Sequence, residues 1–293
     1  MSEAGCPPVI GVIGGSGLYD IPGLEDVRRE TIRTPFGAPS DELVFGTLDG
    51  QQMVFLPRHG RGHPHSPTSL NYRANIDALK RAGVTEILSL SAVGSLREDL
   101  APGAFVIVDQ FIDRSFARTK SFFGEGCVAH VSMADPVCSR LGDALEAAAR
   151  EAGIAATRGG TYIVMEGPQF STRAESNLYR SWGCDVIGMT NMPEAKLARE
   201  AEMCYATVAM VTDYDCWHDT HDDVSVEAII RVLIDNADKG RDLVRAVAPK
   251  LSDRRESCHA GCQTCLDTAL ITAPEARDPA LVAKLDAVAG RVL

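Results

Sequence analysis

The sequence contains no apolar run long enough to cross a lipid bilayer, and its first residues do not combine a basic region with an apolar run of signal-peptide length. It also lacks clusters of Lys and Arg: 29 basic side chains stand against 40 acidic ones, and the net charge is -11. Nucleic-acid surfaces need such clusters to contact phosphate groups. We therefore expect a cytoplasmic protein that binds neither membranes nor nucleic acids, and that binds any anion through a few locally placed donors.

Two common nucleotide-binding signatures are absent as well. A glycine-rich loop, GGSG at residues 14–17, follows the apolar segment 9–13, but Asp20 stands where a dinucleotide fingerprint would have its third glycine. No Gly-Lys-Ser/Thr follows to make a P-loop. The loop could still wrap backbone N–H groups around an anion, with the Ser16 hydroxyl as a further donor, and an ordinary turn is the alternative.

The nine cysteines do not resemble the disulfide framework of a small secreted protein. Six of them are scattered singly, where reduced and often buried thiols are the usual state: Cys6, Cys127, Cys138, Cys184, Cys204 and Cys216. The other three form a C-x3-C-x2-C pattern that includes His259: Cys258, Cys262 and Cys265. Half of the usual paired zinc-binding pattern is missing, so we expect a Cys262–Cys265 disulfide or reduced thiols here, and no metal site.

A chain of 293 residues, 45% hydrophobic and 24% charged, is long enough to bury a sizeable core as one large α/β domain or two small ones. Apolar segments predict strands over 9–13, 43–47, 53–57, 86–90, 105–112, 161–166, 185–189 and 205–212. Periodic patterns predict helices over 69–82, 136–152, 172–182 and 224–247. The character changes at residue 251, so we assign 1–250 to the main domain and 251–293 to a cysteine-containing helical tail packed on it.

Several predicted strands lead directly into groups that can bind an anion. The second strand of a predicted hairpin runs into the sequence RHGRGH, where Arg58 and His59 could bind phosphate; a solvated basic turn is the alternative. Two further strands run into the hydroxyl groups of Ser91 and Thr190. Ligands of open α/β sheets bind at the carboxyl ends of the strands, which is where these groups stand.

Two carboxylates, Asp213 and Asp215, end the buried strand over 205–212. Their spacing of two would project both side chains to one side of the strand. A carboxyl held between apolar walls beside a second carboxyl has a raised pKa and can act as a general acid near neutral pH; an acidic turn facing water is the alternative. Phe170, which also follows a strand, could stack on a flat ligand or could belong to the core.

Six motifs follow one another along the chain: IGGSGL at 13–18, TPFGAPS at 34–40, RHG at 58–60, NYRAN at 71–75, EGP at 166–168, and GMT at 188–190 followed by Pro193-Glu194. Together they closely resemble the 5'-methylthioadenosine phosphorylases of the purine nucleoside phosphorylase superfamily, in order from about residue 9 to residue 246. The resemblance implies a three-layer αβα phosphorylase fold with a mixed central sheet. It also implies a homotrimer with sites at subunit interfaces, and no cofactor besides inorganic phosphate as co-substrate.

The resemblance also implies roles for individual residues. Phosphate is held by residues that match Ser16, Arg58, His59, Ser91, Ala92 and Thr190. The nucleoside is contacted by residues that match Phe170, Ser171, Met189, Tyr214, Val226, Ile229, Ile230 and His130, the last from a neighbouring subunit. Asp213 would be protonated and donate to N7 of the base, while Asp215 would accept from the 6-amino group. The three aliphatic residues from the last predicted helix would suit a thiomethyl group at the 5' position.

The expected reaction is phosphorolysis of S-methyl-5'-thioadenosine to adenine and 5-methylthioribose 1-phosphate, in methionine and purine salvage. Ser16 and Ser91 stand where many relatives have threonine, and relatives that prefer 6-oxopurines tend to carry Asn near Asp213 and Asp215. The alternatives are a 6-oxopurine nucleoside or S-methyl-5'-thioinosine phosphorylase, a nucleosidase, and a non-catalytic nucleoside-binding protein. A nicotinamide-linked dehydrogenase is disfavoured by the failed glycine fingerprint.

Overall fold

The computed structural model describes residues 8–15, 18, 21–218, 226–251, 258 and 261–293, with the backbone alone for 226–230. The strands are β1 (Val9–Gly14), β2 (Glu25–Glu30), β3 (Leu43–Leu48), β4 (Gln51–Pro57), β5 (Val84–Ser95), β6 (Phe105–Ile107), β7 (Gln110–Asp113), β8 (Ala156–Arg158), β9 (Thr161–Val164), β10 (Val186–Gly188) and β11 (Cys204–Tyr214). The helices are α1 (Tyr72–Arg81), α2 (Ser139–Glu151), α3 (Arg173–Ser181), α4 (Asn191–Glu200), α5 (Val226–Leu251), α6 (Pro279–Lys284) and α7 (Asp286–Ala289). None of these helices is both long and apolar enough to span a bilayer.

The described strands form one mixed sheet organised around β5. The order β2-β3-β4-β1-β5-β10-β9-β7 forms the main path, and β11, β6 and β8 branch from β5 on its other side. The pairs β4–β1, β1–β5 and β5–β11 are parallel, whereas β10 runs antiparallel to the end of β5. The carboxyl ends of β4, β1, β5 and β11 therefore meet at one edge. The expected α/β class with a mixed central sheet is confirmed.

Side chains along the central strands alternate between two apolar layers, as the period of two in a strand requires. On β11, Tyr205 and Ala209 pack into a cluster that also contains apolar residues of α1 and α4. Val208 and Met210, on the opposite face, pack with residues of α2 and α5. Near-continuous apolar strands therefore bury both faces of the sheet between helices, in agreement with a three-layer arrangement.

The predicted hairpin is present, and its turn has the chemistry that the sequence indicates. Asp49 and Gly50, which join β3 to β4, have φ angles of 49° and 80°. A two-residue hairpin turn of the favoured hand needs positive φ at both positions, which Asp-Gly tolerates well. This turn directs β4 so that Arg58 emerges at the carboxyl edge.

Some boundaries differ from the predicted ones because of contacts distant in sequence. Strand β5 does not end at Leu90 but continues to Ser95, because β11 and β10 pair with its second half. Helix α1 begins at Tyr72 and not near Ser69, with the side chain of Asn71 accepting a hydrogen bond from the N–H of Ala74. The strand predicted over 105–112 is split into β6 and β7, which pair with different neighbours.

The C-terminal tail packs onto the main body of the protein. Leu266, Leu285 and Val288 are buried in the same apolar cluster as α1. The side chain of Arg291 forms an ion pair with Glu202, with Nη2 and Oε1 2.6 Å apart. The tail is thus continuous with the core, and the division between 1–250 and 251–293 stays a prediction.

Candidate active site

Two adjoining cavities lie at the carboxyl edge of the sheet. The smaller, of about 180 Å³, lies beside the ends of β1 and β4, and the larger, of about 300 Å³, reaches the end of β11. Both are lined by His59, His63, Ala92 and Thr190. A ligand in one cavity would therefore contact a ligand in the other at these shared residues.

The smaller cavity brings together five of the six predicted phosphate-binding residues. They are Arg58, His59, Ser91, Ala92 and Thr190. The sixth, Ser16, lies outside the described residues, although its neighbour Gly15 lines the same cavity. Residues that follow β1, β4 and β10 therefore converge here with Ser91 and Ala92, which lie within the second half of β5.

Arg58 is almost completely buried, and its guanidinium is held by several acceptors. Its Nε and Nη2 donate to the two carboxylate oxygens of Glu194 over 2.9 and 3.2 Å. Nη1 donates to the carbonyl of Leu90, and Nη2 also donates to Oγ of Ser89 over 2.6 Å. A bidentate pair of this kind fixes the guanidinium rigidly. Glu194 is therefore a positioning residue for Arg58, which lines the smaller cavity.

His59 is neutral in this environment. Its Nδ1 donates to the carbonyl of His65 over 2.9 Å, because a carbonyl can only accept. The pKa of His59 is lowered to about 4, chiefly by burial and further by the positive charge of Arg58. The free Nε2 of this tautomer is an acceptor, suited to a phosphate oxygen that still carries its proton.

The larger cavity contains the two predicted acids. The β5–β11 pairing shifts register between Val211 and Asp213, and both Asp213 and Asp215 line the cavity. Burial raises the pKa of Asp213 to about 6, and the nearby charge of Asp215 adds to this, while a 2.7 Å hydrogen bond from Thr212 opposes it. Asp213 is thus poised to titrate close to neutral pH.

Asp215 offers a buried acceptor. Its side chain is buried, and burial raises its pKa above the ordinary value. Its Oδ2 accepts no hydrogen bond from the part of the chain that the structure describes. An unpaired buried carboxylate oxygen is costly unless a ligand supplies a donor, which a purine 6-amino group could do.

Gly94 on β5 leaves the space that the two acids occupy. A Cβ at this position would lie 3.2 Å from Oδ1 of Asp213 and 3.4 Å from Cβ of Asp215. It would also lie 3.2 Å from the side chain of Ile187 on β10. Any larger residue would displace the carboxyl groups, so Gly94 helps to define their geometry.

Some of the other predicted nucleoside contacts line the larger cavity, and others do not. Phe170, 77% exposed, and Met189 both line the larger cavity. Tyr214 lies on the opposite side of β11 from the two acids, and its hydroxyl donates to the carbonyl of Glu98 over 3.0 Å. Ser171 is half-buried beside Cys216, whose Sγ donates to its carbonyl. Neither Tyr214 nor Ser171 is among the described residues that line the two cavities.

Residues on other elements complete the predicted set. The backbone of Val226, Ile229 and Ile230 belongs to α5, but their side chains lie outside the described residues. Leu233, on the same helix, lines the smaller cavity. His130 is exposed, and its backbone N–H donates to the carbonyl of Ala269. It lies on the surface and not at either cavity.

Arg118 shapes the site although no motif indicates it. It is buried, and its Nη1 donates to the carbonyls of Met189 and Met192 over 2.6 Å. Its Nη2 donates to the carbonyl of Glu166, and its Nε to Oε1 of the same residue over 3.1 Å. Arg118 therefore holds the segment that presents Met189 to the larger cavity. Arg118 lies in an irregular stretch without periodicity, so the sequence around it does not indicate a role. Its ion-pair partner Glu166, in the EGP motif, is the part of this contact that the sequence does indicate.

The smaller cavity is lined by a buried arginine and hydroxyl groups, and the larger one is lined by two acids, so a site of this kind could hold an anion beside a polar ligand. The chain matches the model of the Phosphorylase superfamily over residues 9–249. It belongs to that superfamily. The expectation of an enzyme from this family is confirmed.

Relatives and solved structures agree with this assignment. The chain is 67% identical to an S-methyl-5'-thioadenosine phosphorylase of Rhodospirillum rubrum, over 100% of both chains, and 66% identical to one of Cereibacter sphaeroides, over 97% and 98%. A methylthioadenosine phosphorylase from an Antarctic soil metagenomic library superposes with a TM-score of 0.91 at 48% identity, covering 96% and 99%. A mutant adenosine/methylthioadenosine phosphorylase of Schistosoma mansoni in complex with methylthioadenosine gives 0.79 at 36% identity, covering 85% and 93%.

Proposed function

We propose that this chain catalyses the phosphorolysis of S-methyl-5'-thioadenosine to adenine and 5-methylthioribose 1-phosphate, a pentosyl transfer in methionine and purine salvage. The observation that carries the proposal is the junction of the two cavities. Cationic and hydroxyl groups surround the smaller one, two acids with raised pKa values end the larger one, and His59 and Thr190 belong to both. The names of the relatives support this choice of substrate.

Phosphate in the smaller cavity would meet the sugar at the junction. Cleavage of the N-glycosidic bond builds positive charge on the sugar and negative charge on the departing purine. A phosphate oriented by Arg58, His59 and Thr190 stabilises the cationic sugar and then forms the new C–O bond at C1'. Because Glu194 holds the guanidinium in place, little reorganisation is needed during the reaction.

The departing base takes its proton from Asp213. With a pKa of about 6, the carboxyl is protonated in about a tenth of free molecules at pH 7. A purine packed against it removes more water and raises the pKa further. As the glycosidic bond breaks, N7 becomes more basic and accepts the proton, which makes adenine a better leaving group. Asp215 accepts from the 6-amino group, and a 6-oxopurine would leave its oxygen unpaired.

A neighbouring copy of the chain completes the proposed site. Phe170 lies at the cavity with 77% of its surface exposed, and His130 is exposed on the surface, so both are available to a second subunit. We extend the proposal to a homotrimer in which His130 reaches the 5' group of a neighbour's nucleoside. Val226, Ile229 and Ile230 would form the apolar wall of that pocket. A monomeric mass by light scattering of the active enzyme would contradict this part.

The direct test is an ultraviolet assay of adenine release from S-methyl-5'-thioadenosine, with and without inorganic phosphate. We expect release to depend on phosphate, because Arg58 and His59 line the smaller cavity, where an anion could bind. S-methyl-5'-thioinosine, tested in parallel, should be turned over poorly. Phosphate-independent release would indicate a nucleosidase, and faster use of the inosine analogue would show that the interpretation of Asp213 and Asp215 is wrong.

Replacing Gly94 with alanine tests the geometry of the two acids. The added methyl group would lie 3.2 Å from Oδ1 of Asp213, so the carboxyl must move. We expect kcat/KM for the nucleoside to fall about tenfold or more, because small displacements of catalytic groups lower the reaction rate strongly. Gly124→Ala is the matched control, since a Cβ there meets nothing within 4 Å. Equal kcat/KM values for the two variants would contradict the assigned role.

A further inference from the structure

Four buried cysteines from three separate parts of the chain meet at one point. Cys138 precedes α2, Cys204 begins β11, and Cys258 and Cys262 belong to the tail. Their Sγ atoms all lie within 4.8 Å of one another. Cys258 Sγ is 3.2 Å from the Sγ atoms of both Cys138 and Cys262, and all four thiols are free. Of the two states expected for Cys262 in the tail, a disulfide to Cys265 is therefore wrong.

We propose that Cys138, Cys204, Cys258 and Cys262 form a tetrathiolate zinc site. Tetrahedral zinc has Zn–S bonds of about 2.3 Å, which place the sulfurs about 3.8 Å apart. Two of the Sγ pairs are 3.2 Å apart and all lie within 4.8 Å, so small side-chain adjustments suffice to enclose an ion. The cysteines of the tail supply only half of a zinc ligand set. Cys138 and Cys204, which are distant in sequence, supply the other half. The prediction of no metal is thereby revised.

The surroundings of the cluster suit a charged group. Four thiolates and one Zn²⁺ carry a net charge of -2, which is costly to bury without nearby donors. Arg199 donates from Nη1 to Sγ of Cys262 over 3.1 Å, and Arg140 directs Nη2 toward Sγ of Cys204 at 3.8 Å. Arg140 also pairs with Glu86, so Arg199 provides the larger share of the compensation. Donors of this kind orient metal ligands and stabilise their charge.

The site would be structural and not catalytic. All four coordination positions are filled by protein sulfur, which leaves none open for a substrate. Its ligands connect the tail to the start of α2 and to the first residue of β11. Metal binding would therefore add to the free energy of folding and fix the tail on the core. Cys265 takes no part, because its Sγ donates to the carbonyl of Arg199.

The test uses the full-length protein purified under reducing conditions without chelator. Elemental analysis should find about one zinc per chain, and Cys258→Ser and Cys262→Ser should each lose most of it. Cys127→Ser is the matched control, since Cys127 is also buried but lies outside the cluster, and this variant should retain the metal. Cobalt exchanged into the wild type should show the intense visible bands of tetrahedral thiolate coordination.

A second measurement uses only the wild-type protein, so it tests the proposal even if the cysteine variants do not fold. Zinc removed from the wild type by a strong chelator should lower the midpoint of thermal unfolding by several degrees, and added zinc should restore it. Freshly purified protein without metal and with all four thiols titratable would overturn the proposal. So would a disulfide within the cluster detected by mass spectrometry. Bound iron in place of zinc would overturn the assignment of the metal.

Discussion

Asp213→Asn is expected to lower kcat about 100- to 10,000-fold, the range typical for loss of a general acid. Asparagine keeps the size of the side chain and its hydrogen bond from Thr212, but its amide protons are not acidic enough to be transferred to the departing purine. Binding of the nucleoside should change little, because the cavity keeps its shape. The measurement is steady-state kinetics at saturating phosphate together with equilibrium binding of a non-reactive analogue.

The pH dependence identifies the group. In the proposed mechanism protonated Asp213 is the active form, so kcat/KM of the wild type should fall as the pH rises above about 6, the pKa of Asp213 in the free enzyme. Asp213→Asn should lack this decline. Asp143→Asn makes the same chemical change at an exposed site on α2 and should leave the profile unaltered. Near-normal turnover in Asp213→Asn would show that another group protonates the base.

Arg58→Gln is expected to reduce the free energy of unfolding by about 3–5 kcal/mol, because it leaves the carboxylate of Glu194 buried without its charged partner. Both side chains are at most 3% exposed, so water cannot compensate the lost pair. The same substitution removes positive charge from the wall of the smaller cavity and should raise the KM for phosphate strongly. Chemical denaturation and phosphate titration measure the two effects separately.

The double variant Arg58→Gln/Glu194→Gln separates stability from phosphate binding. Neutral glutamine at 194 can still accept from the hydroxyls of Ser89 and Tyr205, so much of the lost stability should return. The KM for phosphate should stay high, because the cation is still missing. Recovery of a normal phosphate KM in the double variant would mean that Arg58 acts only as a partner for Glu194.

Several elements could be predicted because their causes are local. The turn between β3 and β4 follows from Asp49-Gly50, and the capping box at the start of α3, between Thr172 and Glu175, lies within four residues. Strand β5 was harder, because its second half is extended only through pairing with β10 and β11. Local propensity contains no information about such distant partners.

The candidate site shows the same division. Arg58, His59 and Asp213 attract notice because a charged or titratable group at the end of an apolar strand is unusual. Glu194 stands in a family motif, but the sequence does not show what it or Arg118 does, since they hold Arg58 and the carbonyl of Met189. A positioning role depends on what a side chain contacts, and these contacts join residues many positions apart.

By itself, the sequence determined the alternation of strands and helices and the family, and it predicted the side chains that could bind an anion and protonate a base. These follow from patterns a few residues long and from motifs in order along the chain. Only the tertiary structure decided which of those side chains meet. Glu194 contacts Arg58 across 136 positions, and Cys138 and Cys204 contact the two tail cysteines. Sheet pairing and core packing bring these distant segments together, and a pattern a few residues long contains no information about such contacts.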